Sequence, residues 1–277
     1  MKPHPLYDTP GCATHSDENV SIIIPAKNEE RTIGDLLHAM GTHFPKAEHL
    51  LVLNGTTDNT EKAAQDAAGL AGVTLRCITL KSPGKGLAMR AGAECATRRW
   101  LLFHDADLEY SVPDAAQLTA FGMSLGDATV TIGARVMPLG QMRLSSYFAN
   151  AATRALMLAK IGRHRDTRHL LPYDLLSGTR LISSAAFKSL SLDDNGFTIE
   201  TSIAREALAA GLTLASYPVG YLPRTIQEGR HIRPWHLLPI VRSALRTPLT
   251  AKQPQPTRQS GQLSTFPASD PQYHGSQ

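Results

Sequence analysis

Between residues 20 and 104 the chain alternates short apolar runs with helix-spaced stretches, and each run stops at a polar, turn-forming loop. The runs are VSIII (20–24), HLLVLN (49–54), TLRCITL (74–80) and WLLFH (100–104). Length, aliphatic content and bounding turn residues predict buried strands. Between them, NEERTIGDLLHAM (28–40) puts Ile33, Leu36, Leu37 and Met40 on one helical face, and TEKAAQDAAGLA (60–71) and LAMRAGAECATR (87–98) also predict helices. Strand and helix alternating through short loops make an open, mostly parallel α/β sheet flanked by helices. Such sheets bind ligands beyond the carboxyl ends of their strands. The loops PAKNEE, NGTTDNT, SPGKG and HDADLEYS all fall there.

The second half continues less regularly. A helix is expected after Pro113, a fifth strand over DATVTIGARV (127–136) and a long amphipathic helix over 143–162. RHRDTRHLLPYDLLSG (163–178) reads as a loop with a basic start. Another helix follows over 196–211, then the strand LTLASYPVGY, a polar segment and a short helix over 235–246. Residues 1–19 predict a flexible leader, and the Gln, Pro, Ser and Thr of 248–277 a disordered tail.

In WLLFHDADLEYS, a buried strand leads straight into two carboxylates one residue apart, Asp105 and Asp107. Acids at that spacing share a side and repel, so a positive charge is expected between them. Mg²⁺ or Mn²⁺ takes one or two carboxylates together with substrate phosphates, so the pair points to a metal that holds a diphosphate. Taken alone, a helix cap or a solvated turn explains two aspartates equally well; their place at the sheet's mouth favours the metal.

Other chemistries are excluded by spacing. SPGKG lacks the GxxxxGK[ST] of a P-loop, no GxGxxG follows the first strand, and neither HExxH nor GxSxG occurs. Lys85 and Arg90 nonetheless lie near the same edge and are expected to approach an anion. The net charge of +4 suits anionic partners without choosing one, and no nucleic-acid-binding module is present. Cys12, Cys77 and Cys95 show no CxxC spacing and read as reduced, structural thiols. The first twenty residues have no apolar core, so a signal peptide is not expected, and no run reaches the length of a spanning helix.

VSIIIPAKNEERTI, NGTTDNT, PGKGLAMRAG and FHDADLEYSVPD, in this order, resemble the family 2 glycosyltransferases of GT-A fold, and in particular bacterial relatives of dolichyl-phosphate mannosyl- and glucosyltransferases. IGAR (132–135), Asp174 with Ser177 and Gly178, GFTIETSI (196–203) and YLPRTIQEGRHI (221–232) extend the resemblance over residues 20–247. It implies a Rossmann-like nucleotide-sugar half at 20–112 and an acceptor half at 113–247. It further implies a UDP- or GDP-sugar held by Pro25, Ala26, Asn28, Glu29, Asn54, Gly55, Asp58, Lys85, Arg90, Asp105 and Ala106, with Mg²⁺ or Mn²⁺ on Asp105 and Asp107. Arg135, Arg224 and Arg230 would meet an acceptor phosphate, and Glu200 would lie near the sugar or acceptor. Two positions depart from the family: Leu53 and Asn54 stand where an aspartate pair usually precedes the loop glycine, and Thr198 stands where many relatives carry a glutamate.

The resemblance implies transfer of a hexose, with inversion, to a polyprenyl phosphate by a cytoplasmic enzyme, with peripheral contact at the inner membrane face as an option. The basic, apolar stretch 143–169 is compatible with such a contact and equally with a core helix bearing a solvated face. Two alternatives stay open: a soluble carbohydrate or small phosphorylated acid as acceptor, for PGKG also resembles the turn of glucosyl-phosphoglycerate synthases; and a nucleotide-sugar-binding protein without turnover, given the missing aspartates.

Overall fold

A computed structural model describes residues 17–136 and 174–224, together with Ala155, Pro239, Arg242, Ser243, Leu245 and Arg246. The expected helix over 143–162 apart from Ala155, the basic stretch after it, Arg230, most of 235–246, nearly all of the leader and the tail lie outside these residues.

Seven strands form one sheet: β1 (Val20–Ala26), β2 (Glu48–Asn54), β3 (Leu75–Leu80), β4 (Trp100–Phe103), β5 (Thr129–Val136), β6 (Arg180–Ser183) and β7 (Thr213–Gly220). Their order across the sheet is β3-β2-β1-β4-β6-β5-β7. β1, β2, β3 and β4 pair in parallel, as do β5 and β7. β6 alone runs backwards, antiparallel to both β4 and β5. The parallel strands therefore end along one edge, and β6 begins there. That edge is the mouth.

The helices are α1 (Ile33–His43), α2 (Thr60–Ala71), α3 (Lys85–Cys95), α4 (Val112–Leu125), α5 (Ser184–Ser189) and α6 (Ile199–Ala209). They cover both faces, so the central strands are buried on both sides and read as continuous apolar runs. In β1, alternation sends Ile22 and Ile24 to one face and Ile23 to the other. The first face packs against Ile33, Leu36, Leu37 and Met40 of α1, Ala64 of α2 and Leu118 of α4. The second packs against Ala88, Met89 and Ala93 of α3 and Ile199 and Ile203 of α6. The four residues expected on one face of the first helix are thus its buried stripe.

Pro25 can end a central strand because the β1–β4 ladder stops at Ile23 and Phe103. The Ile23 carbonyl accepts from His104 N on that side, so by alternation Pro25 also faces a place where β4 has already ended. α4 starts at Ser111, whose hydroxyl accepts from Asp114 N, with Pro113 in the first turn. Among the described elements, β6 and α5 were not foreseen. RLIS is only four residues long and starts with a charge, which gave no strand signal.

Candidate active site at the mouth of the sheet

The loops after β1 and β2 are tied to each other before any ligand is considered. Asn28 adopts a left-handed backbone (φ 58°), which asparagine tolerates better than most residues. Its side-chain oxygen accepts from Thr57 N at 2.8 Å. Asp58 accepts from Thr60 N, the first residue of α2, at 3.1 Å and from Glu30 N at 3.2 Å. Asn54 donates to Ala26 O at 2.9 Å and accepts from Gly84 N at 3.2 Å, joining β1, β2 and the entrance to α3. A carboxylate in that place accepts but cannot donate. The departure from the family's aspartate pair therefore gives this chain an internal brace.

SPGKG is a close-approach turn. A Cβ on Gly84 would lie 2.4 Å from Asn195 O, and one on Gly86 2.3 Å from Asp194 O. Leu87 N donates to Asn195 O at 3.2 Å, so the first turn of α3 is occupied by the loop that leads into α6. Arg90 is engaged on the same loop, donating to Leu192 O at 3.0 Å and to the Asn195 side chain. Lys85, the first residue of α3, points to the mouth instead.

There Lys85 Nζ lies 2.6 Å from Asp105 Oδ1 and 2.7 Å from Glu200 Oε1. Burial works against its charge, but the two carboxylates outweigh burial and raise its pKa. Glu200 comes from the first turn of α6, and Asp105 from just past β4. The Asp105 carboxylate rests directly on Gly178, where an added Cβ would sit 1.9 Å from Oδ2. Gly178 N in turn donates to the Tyr110 hydroxyl at 2.8 Å.

Asp107 holds a different cation. Arg224 reaches it at 3.2 Å and grips Glu29 with a two-pronged contact of 2.9 and 3.1 Å. Leu108 takes a left-handed turn (φ 58°), and Glu109 N donates back to Asp107 Oδ1 at 3.1 Å. Burial, then the charges of Asp105 and Glu109, push the Asp107 carboxyl up to about 7, against the pull of Arg224. The paired acids thus feel one another, and side-chain cations partly meet the positive charge expected between them.

Glu109 accepts from the Tyr221 hydroxyl at 2.5 Å and from Arg224 N at 2.8 Å. Arg135 is fully engaged: its fork meets Asp174 at 2.6 and 2.8 Å, its backbone N–H donates to the same carboxylate, and its guanidinium lies 5.1 Å over the Tyr221 ring. The structure brings together Glu29, Lys85, Asp105, Asp107, Glu200 and Arg224 of the expected residues. Pro25, Ala26, Asn28, Asn54, Gly55 and Asp58 shape the neighbouring wall, and Ala106 is buried between the aspartates. Glu109, Tyr110, Tyr221 and Arg180 went unassigned in the sequence. Glu109 had a signal, a third acid that continues the two-residue spacing of the aspartate pair.

Around the mouth, Glu29, Asp105, Asp107, Glu109 and Glu200 face Lys85 and Arg224, with Arg180 behind them. Among the described residues of the mouth, five carboxyl groups face three cationic side chains, an excess of acid. Among the described residues no group of three His, Cys, Asp or Glu side chains is arranged to enclose a metal. Asp105 and Asp107 carry oxygens of the kind a hard cation takes, and here each is met by a side-chain cation.

A sequence model of glycosyl transferase family 2 matches residues 21–170. The glycosyltransferase AglJ of Haloferax volcanii is 28% identical over 211 residues, covering 74% of this chain and 63% of that protein. Dodecaprenyl-phosphate galacturonate synthase of Rhizobium johnstonii is 31% identical over 106 residues, covering 36% of this chain and 31% of that protein. The chain thus spans less than two thirds of these relatives' lengths. Crystal structures of glucosyl-3-phosphoglycerate synthase from Mycobacterium tuberculosis share the fold at 20% identity. The complex with UDP superposes with a TM-score of 0.61, covering 86% of this chain and 85% of that one. The complex with Mn²⁺, UDP-glucose and phosphoglyceric acid gives 0.55, covering 76% and 74%. Loops gathered at the ends of parallel strands, an acidic pair just past β4 and a family match over more than half of the sequence agree, and the chain belongs to glycosyl transferase family 2.

Proposed function

We propose that the protein transfers a hexose from a nucleotide-diphosphate sugar to a polyprenyl phosphate, using Mg²⁺ or Mn²⁺ held by Asp105 and Asp107. The observation that carries this reading is the surplus negative charge at the mouth, where burial and two neighbouring acids push the Asp107 carboxyl up to about 7. A divalent cation relieves that repulsion, and when bound it neutralises charge developing on the departing diphosphate. The chain's own residues do the rest. Asn28, Asn54 and Asp58 brace the nucleotide wall. Lys85 is a fixed cation at the place where negative charge develops, which is the costly part of glycosyl transfer. Glu200, held by Lys85, faces the sugar.

A phosphate acceptor is already anionic and needs little general base, so the positioning of its oxygen on the far side of the anomeric carbon suffices, and the anomeric centre inverts. Arg224 is the best-placed cation for that phosphate, with Arg230 beyond it in sequence and Arg135 held in reserve by Asp174. The dodecaprenyl-phosphate relative supports the lipid acceptor. Among the described residues no helix is long and apolar enough to cross a membrane.

The test is a thermal-shift panel of UDP- and GDP-sugars with Mn²⁺ and Mg²⁺, followed by product analysis with a short-chain polyprenyl phosphate and with phosphoglycerate. Metal-dependent stabilisation by one donor and a glycosyl-phosphate product support the proposal. Transfer to phosphoglycerate alone replaces the acceptor, and binding without turnover or hydrolysis replaces the enzyme with a binding protein. Undiminished transfer by Asp105→Asn and Asp107→Asn removes the metal from the mechanism.

A further inference from the structure

Arg180 opens the reversed strand β6, opposite Phe103 of β4, and is completely buried. A central strand between β4 and β5 is a place for valine or isoleucine, and the other three residues of β6, Leu181, Ile182 and Ser183, are uncharged. An unmatched guanidinium there is costly to bury. No carboxylate lies within ion-pair distance of it among the described residues. Its two terminal nitrogens donate to main-chain carbonyls, Glu200 O at 3.0 Å, Leu175 O at 3.4 Å and Ser177 O, while Nε has no partner among the described residues. These carbonyls belong to the two segments that build the mouth's floor. Leu175 and Ser177 precede Gly178, on which the Asp105 carboxylate rests, and Glu200, in the first turn of α6, shares Lys85 with Asp105 through its side chain.

We infer that Arg180 is a positioning residue for the transfer site: it draws the 175–178 turn and the first turn of α6 together, and its buried charge offsets the acidic cluster and so limits how tightly the mouth holds a divalent cation. The first role follows from the three carbonyls. The second follows from charge placement, because a fixed cation in a poorly screened interior repels a second one nearby. The inference rests on the metal reading of Asp105 and Asp107, and it deepens that reading by giving the site a built-in counter-charge.

The experiment is a Mn²⁺ titration of the full chain, read by calorimetry and by the EPR signal of free Mn²⁺, for wild type, Arg180→Met and Arg180→Lys. Folding is checked by circular dichroism. Arg180→Met removes the charge, and its Mn²⁺ affinity is expected to rise on the order of tenfold, while kcat for sugar transfer falls. A merely structural arginine gives the opposite sign, a looser site that binds metal more weakly. Arg180→Lys keeps the charge and loses the fork, so Mn²⁺ affinity does not rise above the wild-type value, while kcat falls and donor KM is unchanged. Unchanged or weaker Mn²⁺ binding in a folded Arg180→Met overturns the counter-charge role. Wild-type kcat in Arg180→Lys overturns the positioning role. Should Arg180→Met not fold, Arg180→Lys alone decides the positioning role, and a folded Arg180→Gln replaces the methionine in the metal titration. Failure of wild type to bind Mn²⁺ at all refutes the metal reading itself, and with it the inference's premise, which separates the two failures.

Discussion

Asp107→Asn is expected to make the metal-free protein more stable while removing its function. In the fold the Asp107 carboxyl is pushed up from an ordinary 3.8 to about 7, by burial and by the charges of Asp105 and Glu109. The sign follows from proton counting. Between these two values the folded chain holds a proton that the unfolded chain has released, so stability falls as pH rises through the window. Above pH 7 the fold carries a charge it would be better without. A shift of about 3 units corresponds to about 4 kcal/mol at 1.36 kcal/mol per unit. Asparagine resembles the protonated acid in shape and carries no charge, so at pH 8 the variant gains up to that amount. For a domain of this size that is on the order of 10 °C in Tm. The gap should narrow on acidification and close near pH 4, where the wild type is itself protonated. Differential scanning fluorimetry in EDTA at pH 8, 6.5 and 5 measures it. A variant no more stable than wild type at pH 8, or a gap that ignores pH, refutes the charge-surplus argument. Addition of Mn²⁺ should stabilise only the wild type, so the two melting curves converge. Such a trade of stability for function is common at sites that must wait for a ligand.

Three further outcomes are expected. Gly178→Ala places a methyl 1.9 Å from the Asp105 carboxylate; Asp105 must move, and donor turnover should fall about 100-fold, measured as nucleoside diphosphate release. Lys85→Met leaves Asp105 and Glu200 buried without their shared cation, and urea unfolding at pH 8 should show a loss of about 3–5 kcal/mol. His49 is buried, and burial, against the pull of the Ala47 backbone, depresses its pKa to about 4. Its contribution to stability is full above pH 6.5 and is lost as pH falls toward 4, by about 3 kcal/mol; His49→Leu should flatten that part of the acid-unfolding profile.

Much of this architecture could be read directly from residue order. The first four strands and three helices are local events, each announced by an apolar run or a 3.6-residue stripe and closed by a turn. Ile33, Leu36, Leu37 and Met40 were legible as a buried face because helical periodicity alone determines it. β6 was not, since its identity depends on the neighbours it enters between, and a strand that starts with arginine contradicts local preference. The mouth followed the same division. Asp105 and Asp107 announced themselves by spacing after a strand. The partners that decide their chemistry are remote: Lys85 and Glu200 for one, Arg224 and Glu29 for the other. Arg90 shows the converse. Its position in sequence pointed to an anion, but the loop before α6 lies closer and takes its donors. Asn54 looked like the loss of an acid and serves as a two-way brace that an acid could not provide.

Because β6 enters the sheet head-first, the chain leaves β5 and re-enters at Arg180 along the same rim. The chain thus leaves this part of the sheet and returns to it on the side where the candidate site lies. Lengthening such an excursion is thermodynamically mild, about 0.6 kcal/mol for each doubling of a flexible loop, and it leaves the strand ladders untouched. The frame of the sheet therefore does not dictate the length of the connection between these two strands.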